Sequence, residues 1–486
     1  GYNSLGANTT GEYNTAFGHD SLANNTTTNH HTAVGYNCLA ANTSGTNNTA
    51  VGSRALDANT TGYSNVAIGY DAMGAATTGD RCVGIGAYAL DAALTGNDNT
   101  AVGNESGSAV TSGASNTSLG GYSLRYTTTA SNNTAIGKSA LTNNSTGADN
   151  SALGMNTLAN NTTGDNNVGL GKSALQENTT GNRHTAVGTS ALLDNTTASD
   201  NTAIGYHALT NTTTGADNVA VGGYSMDANT TGTNNTSLGK SSLGANTTGS
   251  NNTAIGREAL LDLTTASYTT AVGYRALYTA QTVSDLTAVG AFCLDSLTNS
   301  GVYNTAVGYK AGANCTDGTR NTLVGWEAGE NITTGSRNIV LGQNAAASGA
   351  AGEGDDNIFI GREAGYYMAN CHSNTAIGNY SMQQITSATY NAAVGMEALQ
   401  ALTSGTENTA VGYQALEDCT TGGKNTAVGR VALLDLTTGD MNTAIGREAG
   451  RDMTTGDGNT FLGRSAGEQL TTGSNNTFVG QDAGRA

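Results

Sequence analysis

The sequence predicts an all-β fold: a parallel β-solenoid, or β-roll, of about 28 coils of 17 residues. Three observations predict it. Glycines that end NTAVG-like runs recur every 17 residues, beginning with Gly1, Gly18, Gly35, Gly52, Gly69 and Gly86. Within each repeat, residues alternate at period two over a short run, which is the spacing of a strand. The 486 residues include 68 Gly and no Pro, and a Pro would delete hydrogen bonds from a continuous ladder. Self-similarity at a fixed period marks stacked units that each pair with the next.

The 17-residue step holds through Gly290. One step of 18 reaches Gly308, one of 19 separates Gly342 from Gly361, and 17 then resumes to Gly480. Three stretches follow: 1–290 of regular repeats, 291–361 with two short insertions, and 362–486 of variant repeats with Gly replacing Leu in several. They are expected to form one continuous elongated domain, roughly 130–140 Å long at about 4.8 Å per coil. A helical reading is poor, because Gly, Asn and Thr dominate and are weak helix formers.

One repeat reads G-x-x-A-L-x-x-N-T-T-G-x-x-N-T-A-V. We number slots from the residue after the register glycine. Slot 16 is always apolar and slot 14 is usually Thr, so the two face one way on a strand. The slot-16 residues are read as the core ladder: Val34, Val51, Ile68, Val102, Ile136, Val187 and Ile204. Two short strands per repeat are expected, with turns between. Slots 11 and 12 are rich in Asn, Asp and Ser, which tolerate turn conformations.

Slot 7 is Asn in many repeats and Leu263, Leu297, Leu402 or Leu436 in others. A slot that exchanges Asn for large aliphatics faces inward. Asn42, Asn59, Asn178, Asn195, Asn229 and Asn246 are therefore expected to form a ladder of side-chain hydrogen bonds along the axis. Slot 13, mostly Asn, does the same near a turn. Late in the chain slot 4 becomes Gly312, Gly329, Gly365, Gly450, Gly467 and Gly484, while slot 15 grows to Leu323, Val340, Phe359, Phe461 and Phe478. The apolar mass moves, so the cross-section is expected to change in the last third.

Composition narrows the function. Lys and Arg number 19 against 37 Asp and Glu, a net charge of -18, which opposes nucleic acid and anionic membrane surfaces as partners. No run approaches the roughly 18 apolar residues of a membrane span. Leu, Ile, Val and Phe make up only about 15% of the chain. Each coil thus buries about two bulky aliphatics, too little to offset the ordering of 17 residues. Hydrogen-bond ladders and contact with another chain must supply the rest, so a homo-oligomer or an end-to-end filament is expected.

Ser64-Asn65-Val66-Ala67-Ile68-Gly69 resembles the NSVAIG-type repeat of trimeric autotransporter adhesin heads. NTAVGYxALxxNTTG-type repeats are similar to those of tail-fibre-like proteins of phages and algal viruses. The resemblance covers the whole chain. It implies a left-handed parallel β-roll, three chains around one axis, and a surface fibre or adhesin role. The period here is 17 rather than the 14 typical of the adhesin heads, and the family's neck, coiled-coil stalk and membrane anchor are not in this sequence.

Few residues suggest chemistry. N-x-S/T sequons occur at slot 7, for example Asn59-Thr60-Thr61, and at slot 12, where Asn47, Asn234, Asn251 and Asn475 are the better candidate glycosylation acceptors because they sit in a turn. Cys38, Cys82, Cys293, Cys315, Cys371 and Cys419 have no CxxC spacing and read as small buried residues. His30-His31 is the one close His pair. The pairs Arg257-Glu258, Arg362-Glu363 and Arg447-Glu448 read as a solvated corner. Tyr36, Tyr70, Tyr206, Tyr274, Tyr309 and Tyr413 at slot 1 either pack over the turn or form an exposed ladder of the kind that grips sugar rings. The adjacent Thr at slots 8 and 9 are expected to point opposite ways, which weakens an ice-binding reading.

The expected function is the structural shaft of an extracellular, cell-surface or virion-surface fibre, with no catalytic residues, no metal and no cofactor. Alternatives are a glycan-coated single-chain extracellular filament, or a carbohydrate- or ice-binding solenoid acting through a Tyr or Thr face. A surface glycan or host receptor is expected to bind through regions outside this segment. Because the chain begins and ends in repeat register, a longer polypeptide or filament is expected to contain it.

Overall fold

A computed structural model describes residues 1–298, 300–348 and 352–485. Parts of both longer repeat steps, residues 299 and 349–351, lie outside the described residues. The chain is all-β, a parallel β-solenoid with about 17 residues per turn. It divides into two compact units, Gly1–Ser241 and Ser242–Ala486. The first carries β1 (Thr15–Phe17) through β14 (Thr236–Leu238), and the second β15 (Thr253–Ile255) through β28 (Thr477–Val479).

Inside each unit, consecutive strands pair parallel and in register. Val34 sits opposite Val51 and Val51 opposite Ile68 in the first unit. Thr409, Thr426 and Thr443 do the same in the second. Like residues therefore return one strand spacing apart, as the 17-residue period requires.

Each coil holds one three-residue strand, at slots 14–16, rather than the two expected. The backbone explains the difference. Slots 2 and 4 take positive φ, as in Arg54 at 59° and Leu56 at 56°, and this interrupts an extended strand. The segment still pairs with its neighbours: the Arg54 amide donates to Tyr36 O of the coil before, and the Leu56 amide to Ala72 O of the coil after. Its amides are satisfied without a second strand.

The strand's facing also corrects the sequence reading. Ala33, Ala50 and Ala67 at slot 15 are fully buried. Val34, Val51, Val102, Ile136 and Val187 are only half-buried, and Ile68 and Ile204 are 38% and 39% exposed. The expected core ladder stacks in register but lies on the outer face of the coil. The reason is space. The interior is already filled by slots 3, 4, 7 and 13, as in the buried Ala55, Leu56, Asn59 and Asn65. At Gly84, a slot-15 glycine, even a Cβ would lie 2.7 Å from Met73 Cγ.

The polar half of the interior is a double Asn ladder. At slot 7, Asn59 Nδ2 donates to Asn42 Oδ1 at 3.1 Å and to Gly62 O of its own coil at 3.1 Å. Asn178 donates to Asn161, and Asn195 to Asn178, both at 2.7 Å. At slot 13, the Asn65 amide donates to Asn48 Oδ1 at 2.9 Å, and Asn48 Nδ2 donates to Gly62 O at 2.8 Å. Each slot-10 carbonyl between two such Asn thus takes two donors. Where a slot-7 run ends, at Asn59 and at Asn195, a buried Oδ1 is left without a partner. Asn229 and Asn246 are buried like the others.

The late change in apolar residues exchanges volume within the interior. Phe359, Phe461 and Leu323 at slot 15 are fully buried. Cβ atoms placed on the slot-4 glycines would meet them: Gly365 at 2.6 Å from Phe359, Gly450 at 2.7 Å from Phe461, and Gly312 at 2.7 Å from Leu323. Slot 4 gives up its Leu where slot 15 takes a large side chain from the opposite wall. These glycines also hold φ near 60°, a conformation Gly adopts without strain.

Candidate functional surface

With Ala turned inward, slots 14 and 16 form a continuous outer sheet face in each unit. Slot 14 contributes Thr, with Val168, Val219 or Ile339 in places, and slot 16 contributes Val, Ile or Leu, with Phe17 in the first coil. No charged residue occupies either slot. Leu153, Leu170 and Leu238 in the first unit are 41–46% exposed, and Val394, Ile445 and Leu462 in the second are 41–45% exposed. A regular apolar array of this length is unusual on a monomer surface.

The register glycine bends the chain away from this face. Its φ is +139° at Gly52, and a Cβ there would collide with the carbonyl of Gly69, so successive coils touch backbone to backbone. Beyond it, slot 1 carries Lys138, Lys172 and Lys240 in the first unit and Arg257, Arg362, Arg430, Arg447 and Arg464 in the second, with no carboxylate. The slot-1 tyrosines Tyr36, Tyr70, Tyr206, Tyr274, Tyr309 and Tyr413 are 39–55% exposed. They do not form one unbroken ladder. Tyr70 meets Tyr88, and Tyr206 meets Tyr224. The longest run is Tyr274, Phe292, Tyr309 and Trp326, with neighbouring ring centroids 5.1–6.2 Å apart.

Residues with reactive chemistry are mostly committed to the interior. All six cysteines are buried and unpaired. Burial pushes the Cys38, Cys293, Cys315, Cys371 and Cys419 thiols up to about 12, which removes the nucleophilic thiolate at neutral pH. His31 and His184 replace Asn at slot 13. His184 Nε2 lies 2.7 Å from Ala198 O, and its Nδ1 accepts from the Asn201 amide at 3.2 Å. The carbonyl partner fixes the Nε2–H tautomer. Burial holds both rings below the usual His range. His30 faces solvent while His31 is buried, so the pair does not converge. Among the described residues, no group of three or more His, Cys, Asp or Glu is placed to hold a metal ion.

The sequons separate by slot. Asn47, Asn234, Asn251 and Asn475 are exposed and hold φ of 57–61°. Asn59 is buried and its amide is engaged in the ladder. Arg257-Glu258 and Arg447-Glu448 are exposed ion pairs at 2.8 and 2.7 Å, whereas Arg362 lies over Tyr380, 4.5 Å from its centroid. A tighter corner joins Arg54 to Asp71 at 3.0 Å. Burial, with Asp71 nearby, pushes the Asp91 carboxyl there up to about 6. Both Thr of the slot 8–9 pair lie outside the core: Thr60 is half-buried and Thr61 exposed, and the Thr60 hydroxyl donates to Thr77 O at 3.3 Å.

No protein-family model matches the chain, and no curated protein is significantly similar to it. Among the described residues, no helix is long and apolar enough to cross a membrane.

Proposed function

We propose that this chain is the non-catalytic structural shaft of an extracellular or virion surface fibre, assembled as a homotrimer through its outer strand faces. The observation that carries this reading is the uncharged apolar face of slots 14 and 16, repeated on every coil of each unit. Aliphatics about 40% exposed gain free energy by burial against a second copy, at roughly 25 cal/mol per Å². The repetition itself favours a structural role, because each coil presents the same groups. A left-handed winding with three chains around one axis is what the adhesin-head resemblance implies.

Native mass by sedimentation or light scattering tests the assembly. Three chains per particle are expected, falling to one when Ile68, Leu153 and Leu170 are changed together to Lys. A stable monodisperse monomer of the unmodified chain overturns the trimer.

One observation favours a second reading. Thr at slot 14 and the aliphatic at slot 16 both point outward on a parallel sheet, which makes the kind of regular, uncharged array that an ice-binding face needs. Thermal hysteresis from the monomeric chain would support it, and a trimer without hysteresis would exclude it.

A further inference from the structure

The longest aromatic run lies beside a cleft with a different character from the rest of the surface. Tyr274, Phe292, Tyr309 and Trp326 occupy slots 1 and 2 of consecutive coils in the second unit. Trp326 is 46% exposed and Tyr309 40%. Next to them, a cleft of about 260 Å³ is lined by Phe292 and Tyr309 together with Asp295, Ser296, Lys310, Asn314 and Glu330. Aromatic rings and polar side chains in one lining suit a ligand that is apolar on its ring face and polar at its rim.

The charges in this cleft are paired. Lys310 Nζ lies 3.0 Å from Glu330 Oε1, and Arg275 Nη2 donates to Asp295 Oδ2 at 3.3 Å. A cleft whose cations and carboxylates are matched does not select a strongly charged ligand. Arg275 Nε also lies 3.3 Å from Asp295 Oδ1, so the guanidinium faces both carboxylate oxygens. Ser296 and Asn314 supply the uncharged hydrogen-bonding groups of the lining.

We infer that this cleft and its aromatic ridge bind a neutral saccharide, with a pyranose ring laid on Tyr309 and Trp326 and its hydroxyls meeting Ser296 and Asn314. A sugar ring offers both required surfaces, C–H groups on its face and hydroxyls at its edge. The site is complete within one chain, so it stands or falls separately from the trimer.

Trp326 is the only Trp in the chain and reports directly on the site. Its emission is followed as maltohexaose, cellohexaose, chitohexaose and the hexaoses of mannose and galactose are added to the full chain. Equilibrium dialysis with the same sugars detects binding that leaves the indole undisturbed. Saturable binding of at least one is expected. Tyr309→Ala and Asn314→Ala should each weaken it at least tenfold, while Tyr413→Ala, a slot-1 tyrosine on a distant coil, should leave it unchanged. If Tyr309→Ala disturbs folding, Ser296→Ala in the same lining serves in its place, with the same direction of effect. No saturable binding of any sugar overturns the assignment. So does a loss on Tyr413→Ala equal to that on Asn314→Ala, or binding of control peptides alone.

Discussion

Asn65 at slot 13 offers the sharpest test of what holds a coil in place. Its Oδ1 accepts from the Cys82 amide at 2.8 Å, and its Nδ2 donates to Gly79 O at 2.8 Å. Neither group has another partner of its own, because slot 7 of the Gly79 coil is Ala76. Asn65→Ala therefore leaves a buried N–H and a buried C=O unpaired. At about 1–3 kcal/mol for each orphaned group, the local cost is about 2–6 kcal/mol. Asn59→Leu at slot 7 is the comparison. Gly62 O keeps its second donor, Asn48 Nδ2, so only Asn42 Oδ1 loses a partner, and the added apolar volume matches what Leu263 and Leu402 bring to the same slot. Its cost should stay below about 2 kcal/mol. Coils of a solenoid open locally, so hydrogen exchange read on peptides covering Cys82 is the appropriate assay. Exchange should accelerate at least about 30-fold for Asn65→Ala, taking tenfold per 1.4 kcal/mol, and much less for Asn59→Leu. Equal acceleration in the two variants would refute the claim that slot-13 Asn, rather than apolar burial, fixes each coil on the next.

Two further outcomes follow from the interior. Phe461→Ala opens a cavity and should cost about 3–5 kcal/mol, while Gly450→Leu should also destabilise through its clash with Phe461. The double variant restores the Leu and Ala combination of the Leu433 coil, so thermal denaturation should show it less destabilised than the sum of the singles; strict additivity would contradict the volume exchange. His184 gives a pH dependence. Burial lowers its folded pKa, with Asp200 opposing and Arg183 reinforcing the shift. Below the unfolded value of about 6.5, the unfolded chain binds a proton that the folded chain refuses, so stability falls as pH falls through that value. His184→Asn, which restores the usual slot-13 residue, should flatten a melting profile measured between pH 7.5 and 5. A profile unchanged by the substitution would show that the ring does not titrate against the fold.

The period, the single direction of the ladder and the inward Asn were legible because each is a property of spacing. An Asn that exchanges with Leu263 or Leu436 at one slot has to tolerate the interior, and the buried Asn42, Asn178 and Asn195 show that it does. The facing of the strand was not legible from hydrophobicity, since Val34 and Ala33 are both apolar and the larger one was assigned to the core. The αL residues that remove the second strand were hidden for a similar reason. Leu56 and Arg54 are not turn formers, and their positive φ is imposed by the pairing of whole coils rather than by local preference.

One signal in the sequence did determine the facing. Slot 15 is Ala, Ser or Gly wherever slot 4 is Leu or Met, and it enlarges to Leu323, Val340, Phe359, Phe461 or Phe478 only where the slot-4 residues of its own coil and the next are Gly or Ala. Two slots that trade volume across a repeat must share one enclosed space, because only a closed interior conserves its packing. Slot 16 shows no such trade: Val, Ile, Leu and, in the first coil, Phe17 occupy it without reference to slot 4. A residue whose size is unconstrained by the interior is outside it. The aliphatic row at slot 16 is thus kept apolar along the chain for a reason other than the packing of its own coil, and a surface that buries it against another body is the simplest such reason.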